Sequence, residues 1–305
     1  MIMQSLTHPA SARRRALVVA LAVLVPLTFA SSALAKAPTG PFAVFSDCPR
    51  FTSGVIFCIY SQTEGGEVKI GKSTVPINAD KKHEIILQGG FSENETTGVE
   101  SFVGAIDGNT LSKTPQNVPG GLAGLVNCPE ISNFILRISC ELVFENSLTG
   151  VTATTELAKP ASEIGINTNN LINEEGVALS LPVKVKLDNP LLGSECYIGS
   201  SSSPVTLNLT TGTTNPPAPN KPIKGKLGKL EFLDEFTLIE ITNSTLVDNA
   251  FSAPVATGCG GALSFILDPI IDAKLGLPSA AGKNTAIQNN RIREATAENV
   301  IKSEA

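Results

Sequence analysis

The stretch Val177–Leu187, which reads VALSLPVKVKL, alternates apolar and polar residues and decides the fold class. Successive side chains of a β-strand point to opposite faces, so this period of two predicts a half-buried strand. Pro182 interrupts the alternation. Because proline cannot donate a hydrogen bond to a sheet ladder, we expect an edge strand or a bulge at that position.

Short β-like runs rich in Val, Ile, Thr and Phe recur along the chain between turn-forming residues. They comprise Val55–Tyr60, Glu67–Ile70, Glu84–Leu87, Ser101–Ile106, Phe134–Phe144, Val151–Leu157, Val205–Thr210 and Leu227–Ile241. Gly261–Leu275 is a candidate helix, which Pro269 weakens. The sequence therefore predicts an all-β fold, a sandwich or barrel-like structure stapled by disulfides, with at most one or two short helices.

The polar, asparagine-rich stretch Lys159–Glu175 is the best candidate for a long loop or a boundary. It divides the predicted strands into a β-rich half at 36–160 and a second β-rich half at 161–305. One continuous β domain is the alternative. The proline-rich stretch Gly212–Pro222 predicts a stiff, extended connector.

Residues 1–35 have the organisation of a secretory signal peptide. Arg13–Arg15 precede the apolar run Ala16–Ala30, and Ala33–Ala35 supplies the small residues of a cleavage site. An uncleaved membrane anchor is the alternative, since the run could almost span a bilayer. No later stretch is apolar enough for a second span, so we expect no integral membrane span after cleavage and predict a secreted, extracellular or cell-surface protein.

Every cysteine lies after this segment, at Cys48, Cys58, Cys128, Cys140, Cys196 and Cys259. An even count in an exported chain predicts three disulfides. Many pairings are possible, and proximity in the sequence favours Cys48–Cys58, Cys128–Cys140 and Cys196–Cys259. The first two pairs share a pattern of a Cys-Pro turn, a β-like run and a second cysteine, which suggests a degenerate internal repeat.

The composition argues against several kinds of function. The formal net charge is −5, and it falls to −8 without residues 1–35, which hold three arginines and no acid. Such a surface argues against a nucleic-acid partner, because a basic surface binds phosphate. No C-x-x-C or C-x-x-H pair is present, and we predict no metal and no cofactor.

Nucleophilic catalysis has little support in the sequence. No G-x-S-x-G turn is present, and His83 lies in the charged stretch KKHE, which is typical of a solvated turn. Cys259 lies among glycines with only His83 as a histidine base within residues 36–305, so we interpret it as a disulfide cysteine.

Gly66–Ser73 matches the phosphate-loop pattern G-x-x-x-x-G-K-S. That pattern binds phosphate only between a strand and a helix. Here the variable residues alternate like a strand, and the β-like run Thr74–Ile77 follows. We therefore predict a β-hairpin whose turn is Gly71-Lys72.

Carboxylates are the remaining catalytic candidates, because a glycosidase needs only an acidic pair. The candidates lie in polar stretches, at Glu93, Glu95, Glu174, Glu175, Asp234 and Glu235. The chain has no Trp and few aromatic residues for a sugar-binding face. We predict no catalytic residue.

The chain resembles a group of uncharacterised secreted proteins of high-GC Gram-positive bacteria. The resemblance rests on Ser46–Phe51 (SDCPRF) and Leu187–Gly193 (LDNPLLG), with support from Val118–Pro129, Pro216–Gly225 and Asp268–Pro278. It implies export and a shared fold. That group has no assigned activity, so the resemblance transfers no functional residue.

The functional expectation is a secreted, non-catalytic β-rich protein that acts as a cell-surface, envelope-associated or ligand-binding module. The alternative is a secreted carboxylate-dependent hydrolase, such as a glycosidase.

Overall fold

A computed structural model describes residues 36–304 except 79, 95, 122–131, 141–149 and 235–236. The predicted signal peptide at 1–35 lies outside the described residues. The described residues belong to one compact unit, Lys36–Ala305.

The described chain is mostly β-sheet, with 42% of residues in strands and 17% in helices, so the all-β prediction is confirmed. The strands are β1 (Phe57–Ile70), β2 (Ser73–Ile77), β3 (Ile85–Glu93), β4 (Glu100–Gly104), β5 (Pro115–Val118), β6 (Val151–Leu157), β7 (Gly165–Ile166), β8 (Leu179–Asp188), β9 (Tyr197–Ile198), β10 (Val205–Leu209), β11 (Lys229–Leu233), β12 (Leu238–Asp248), β13 (Ala256–Thr257) and β14 (Thr285–Thr296).

These strands form two antiparallel sheets. The first has the order β11-β12-β14-β1-β3-β4, and β2 also pairs with β1. The second has the order β13-β9-β8-β6-β5, and β7 and β10 also pair with β8. The main hydrophobic core takes side chains from both sheets, including Phe91 and Ile292 from the first and Val183 and Leu187 from the second.

The longest pairing in the first sheet joins distant parts of the chain. Phe57 of β1 lies opposite Thr296 of β14, and the pairing runs to Lys69 opposite Thr285, with one irregularity between Thr63 and Gly65. Strands from 36–160 and from 161–305 therefore lie side by side in the same sheet.

Within the described residues, four short helices accompany the sheets, where one or two were expected. They are α1 (Phe134–Cys140), α2 (Thr168–Asn173), α3 (Ser264–Leu275) and α4 (Ala297–Lys302). The predicted helix at Gly261–Leu275 is confirmed as α3, preceded by a 3-10 turn at Gly261–Leu263, and Pro269 lies inside it.

The strand predicted at Phe134–Phe144 is wrong where the structure describes it, because α1 occupies Phe134–Cys140. The side chain of Asn133 accepts a hydrogen bond from the Ile135 N–H at 3.1 Å. This is the capping contact that favours the start of a helix, and it outweighs the β-propensity of the run. The first copy of the proposed internal repeat leads into strand β1, whereas the second contains helix α1. The two copies therefore do not share a structure.

The long loop predicted at Lys159–Glu175 contains regular structure. A 3-10 turn at Ala161–Glu163, β7 and α2 lie within it. Asn167 accepts a hydrogen bond from the Asn170 N–H at 2.8 Å and caps α2. The asparagines that suggested a loop therefore include a helix-capping residue.

Pro182 lies in an interior strand, so the expected edge position is wrong. On one side of β8, β7 pairs only as far as Ser180 and β6 begins at Val183. Pro182 falls between them, and its carbonyl accepts a hydrogen bond from the Ala158 N–H at 3.0 Å. Thr206 of β10 lies opposite Pro182 on the other side of β8, but on this side no residue of a strand does, so a missing N–H is tolerated there.

A second, smaller core covers the opposite face of β1 and β14. Cys58 and Ala295, which pair in register, point away from the main core. A 3-10 turn at Gly40–Phe45 and helix α4 pack there, through Phe42, Phe45 and Val300 among others. Both ends of the described chain therefore pack on this face.

Arg50 ties these two ends together. Its guanidinium forms an ion pair with Glu304 at 2.5 Å, and the exposed fractions of the two side chains are only 4% and 11%. It also donates to the carbonyl of Ser46 at 2.9 Å and to that of Lys36 at 3.5 Å. A buried cation with several acceptors holds the N-terminal segment against the C-terminal helix.

Two of the three predicted disulfides are confirmed. Cys48–Cys58 joins the N-terminal segment to β1, with Cα atoms 5.6 Å apart. Cys196–Cys259 joins the start of β9 to the loop before α3, with Cα atoms 4.1 Å apart. Cys128 and the side chain of Cys140 lie outside the described residues.

We expect Glu304→Gln to destabilise the fold by about 3 kcal/mol, because breaking a buried pair leaves the Arg50 charge uncompensated. The free energy of unfolding in urea measures the effect. Lys302→Ala, which removes an exposed pair with Glu298, is the control and should leave stability unchanged. Equal effects of the two substitutions would contradict the role given to Arg50.

Removing Cys196–Cys259 with a double Cys→Ala variant should cost about 4 kcal/mol, because it spans 63 residues and a longer loop loses more entropy when closed. Removing Cys48–Cys58, which spans 10 residues, should cost about 3 kcal/mol. Thermal unfolding of the two variants in parallel compares them. A larger loss from the shorter loop would overturn this order.

Candidate functional site

The hairpin predicted at Gly66–Ser73 is confirmed. Ile70 pairs with Ser73 across the Gly71-Lys72 turn, and β2 follows instead of a helix. The Gly71 N–H donates to the side chain of Asn284 and the Lys72 N–H to the carbonyl of Leu275, both at 2.8 Å. These donors are occupied by the protein, so the turn does not form a phosphate cradle.

The four described carboxylate candidates lie at three places in the fold: Glu93 in β3, the neighbours Glu174 and Glu175 at the end of α2, and Asp234 after β11. Glu174 ends α2, forms an ion pair with Lys224 at 3.3 Å and accepts a hydrogen bond from the Leu227 N–H. That backbone hydrogen bond, followed by Lys224, lowers the pKa of Glu174. Asp234 accepts from the Thr237 hydroxyl at 2.9 Å. Glu93 and Glu175 are exposed, and the structure does not bring these groups together as an acidic pair.

The remaining two carboxylate candidates, Glu95 and Glu235, lie outside the described residues. His83 lies in a turn with its Nδ1 atom 2.7 Å from the carboxylate of Asp80, and both side chains are about 40% exposed. Among the described residues, no serine, threonine or cysteine side chain hydrogen-bonds to the His83 ring. The prediction of a solvated, charged turn is confirmed.

An apolar recess lies between the two sheets, and we take it as the candidate functional site. It encloses about 70 Å³. Its wall is built mainly from valine, isoleucine and leucine side chains of β1, β2, β3, β5, β8 and β9, together with Leu275 at the end of α3. Val68, Val75, Ile85 and Val185 pack against the main core yet are only partly buried. These side chains face the recess and leave it accessible.

The hairpin of β1 and β2 forms one side of the recess because its turn is fixed to the end of α3. Gly71 has a φ of +57°, and a Cβ atom there would lie 2.1 Å from the carbonyl oxygen of Leu275. Only glycine therefore fits this turn against the helix. The turn and Leu275 together set the position of β2 relative to the second sheet.

Three polar side chains interrupt the apolar wall. Gln116 is buried and fully engaged: its oxygen accepts from the Asn78 N–H and its nitrogen donates to the carbonyl of His83, both at 2.7 Å. The hydroxyls of Ser73 and Thr155 make no hydrogen bond to any described residue. They are the groups in the recess that remain able to bind a polar atom.

Two aspartates that the sequence did not single out serve the fold. Asp268 of α3 accepts hydrogen bonds from the N–H groups of Gly258 and Cys259, at 3.1 and 2.8 Å. Asp272 accepts from the Ala256 N–H at 2.7 Å. Both side chains hold β13 and the disulfide loop against α3, and no chemistry is needed to explain them.

Glu294 of β14 is the most perturbed carboxyl group. It lies in register between Ile59 and Ile239 and faces the main-core side of the first sheet. Burial, with a smaller effect from the negative charge of Glu100, raises its pKa to about 7. Glu100 itself accepts hydrogen bonds from the N–H and hydroxyl of Thr168. The alternating pattern of β14 places Glu294 on this face, but the sequence does not reveal that no described residue forms a hydrogen bond or ion pair with its carboxyl group.

Three further findings concern the described part of the chain as a whole. No group of three or more His, Cys, Asp or Glu side chains there is arranged to hold a metal ion. None of its helices combines the length and apolar character needed to cross a membrane. No family model matches the chain, and no curated protein or solved structure matches it.

Glu294 predicts a pH dependence of stability. Its folded pKa of about 7 exceeds its ordinary value of 4.5, so the folded state holds the proton more tightly. Its contribution is fully present below about pH 4.5 and is lost as the pH rises through 7, by up to about 3 kcal/mol. We expect Glu294→Gln to gain stability relative to the native chain by this amount between pH 4.5 and 8.

Urea unfolding at several pH values measures that difference. Glu175→Gln, which changes an exposed carboxylate, is the matched control and should follow the native curve. Parallel curves for Glu294→Gln and the native chain would show that Glu294 ionises normally.

Proposed function

We propose that the chain is an exported, non-catalytic binding protein whose recess takes a small apolar ligand. The observation that carries this proposal is the recess itself, a concave apolar surface with two free hydroxyls between the sheets. Binding sites for small molecules are typically concave and apolar with a few polar groups that orient the ligand. The resemblance to secreted proteins without assigned activity is compatible with this role.

The partly buried side chains explain why a ligand would bind. Val68, Val75, Ile85 and Val185 remain in contact with solvent although each packs on the core. Removing such apolar surface from water is favourable by about 25 cal/mol per Å². A ligand that covers these four side chains therefore gains free energy without any rearrangement of the sheets.

The size of the recess limits the ligand. Its volume of about 70 Å³ is roughly half that of the apolar cavity of about 150 Å³ that accommodates benzene. A short alkyl segment therefore suits this space better than a ring system. Several side chains of the wall are only partly buried, so a longer ligand can project out of it.

Export and location at the cell surface or outside the cell form the second part of the proposal. Its support is the signal-like organisation of residues 1–35 and the two described disulfides, since disulfides persist in oxidising compartments. A role in the cell envelope is consistent with both. The alternative, a carboxylate-dependent hydrolase, draws no support from the structure. Glu93, Asp234 and the neighbours Glu174 and Glu175 lie on different elements, and Glu174 is paired with Lys224.

Titration with 1-hexanol, followed by the methyl signals of valine and isoleucine in NMR spectra, tests the binding function. We expect saturable shifts for Val75, Ile85 and Val185, which line the recess, and none for Val99 and Val255, which are exposed elsewhere. Val75→Phe should fill the recess and abolish the shifts. Val255→Phe, a matched exposed substitution, should leave them unchanged.

Absence of saturable shifts in the native chain would reject the recess as a binding site. Equal shifts in the Val75→Phe variant, with its fold verified by its unaltered remaining signals, would place the ligand elsewhere and reject the proposal as well.

A further inference from the structure

A second cleft opens directly beside the apolar recess. It has a volume of about 500 Å³ and shares Ser73 and Leu275 with the recess. Its remaining wall includes Lys72, Thr74 and Lys274. The recess is apolar and the cleft is polar, and Ser73 lies at the boundary between them.

The two lysines give the cleft a positive charge. Lys72 lies in the hairpin turn and its ammonium group donates to the carbonyl of Ala273 at 3.2 Å. Lys274 lies in the last turn of α3. Within the described residues, neither ammonium group is within 4.0 Å of a carboxylate, whereas several other lysines are, namely Lys159, Lys184, Lys186, Lys224, Lys229 and Lys302. Two uncompensated cations therefore border the cleft of an otherwise acidic chain.

We propose that the ligand is an alkyl carboxylate, with its alkyl chain in the recess and its carboxylate in the cleft between Lys72 and Lys274. This inference rests on the proposed binding function and names the chemical class of the ligand. The Ser73 hydroxyl lies at the junction of the two cavities and donates a hydrogen bond to the carboxylate. Charged hydrogen bonds from lysine to a carboxylate are stronger than neutral ones.

The end of α3 favours a single negative charge over a double one. The carbonyls of Ala273 and Leu275 lie at the C-terminal end of this helix, beside the cleft. The C-terminal end of a helix carries a partial negative charge, which opposes the binding of an anion. The two positive charges of the lysines balance the partial negative charge of the helix end and the single charge of one carboxylate. They do not balance the helix end and the double charge of a phosphate dianion.

Calorimetric titration of the native chain with hexanoate and with 1-hexanol at pH 7.5 tests the inference, because the two ligands share an alkyl chain and differ in charge. We expect hexanoate to bind about tenfold more tightly, as two partly exposed ion pairs allow. Raising the salt concentration to about 1 M should remove most of this preference, since salt screens exposed charges.

The double variant Lys72→Gln with Lys274→Gln should lose the preference for hexanoate and keep the affinity for hexanol. The matched control is Lys221→Gln with Lys229→Gln, which removes two charges that border neither cavity. It should bind both ligands like the native chain. Retained hexanol binding shows that the recess of each variant is intact.

Each outcome separates this inference from the proposed function. Equal binding of both ligands, or a preference that survives the double Lys→Gln variant, overturns the carboxylate assignment and leaves the apolar recess as a binding site. Binding of neither ligand overturns both. If the double variant also loses its affinity for hexanol, the salt dependence of the native chain decides the question. A preference of the native chain for hexanoate that is unchanged at about 1 M salt overturns the assignment.

Discussion

The antiparallel pairing of β1 with β14 is the constraint on which the rest of the structure depends. It aligns Phe57 with Thr296 and Lys69 with Thr285, and it places one face of the same two strands in each core. Ile59 and Ile292 point into the main core, whereas Cys58 and Ala295 point into the smaller one. Because side chains alternate along a strand, a shift of one residue would exchange the two sets. The register of this strand pair therefore determines which side chains enter each of the two cores.

The same pairing positions the candidate site. The far end of β1 continues into the Gly71-Lys72 turn, which is hydrogen-bonded to Leu275 at the end of α3 and to Asn284 just before β14. The hairpin is therefore fixed at its tip, and the other end of β2 is fixed to the second sheet, where Gln116 of β5 accepts a hydrogen bond from the Asn78 N–H. The recess lies between these two attachments, and its wall includes side chains that are only partly buried. The recess follows from how the hairpin is attached.

Local patterns in the sequence predicted much of the fold. The alternation of apolar and polar residues predicted β6, β8 and β10, and the Gly71-Lys72 pair predicted the hairpin turn. The short separation between cysteines in the sequence predicted the two described disulfides. The errors arise where a single contact outweighs a pattern: Asn133 starts a helix in a run of β-forming residues, and the end of β6 gives Pro182 a place inside a sheet. The recess was not predicted, because its wall joins residues from both halves of the sequence. Lys72 was noted only as part of a phosphate-loop pattern, and Lys274 had no local signal at all.

The position of β14 near the C-terminus has a consequence for the order in which this chain can fold. A polypeptide that emerges N-terminus first, from a ribosome or a translocation pore, exposes β1 long before residue 296 appears. Until then the central strand of the first sheet has β2 and β3 as neighbours but lacks the partner along its other edge. Contacts of such high sequence separation slow folding. The native pairing of β1 is therefore completed only after the residues up to Thr296 have been synthesised.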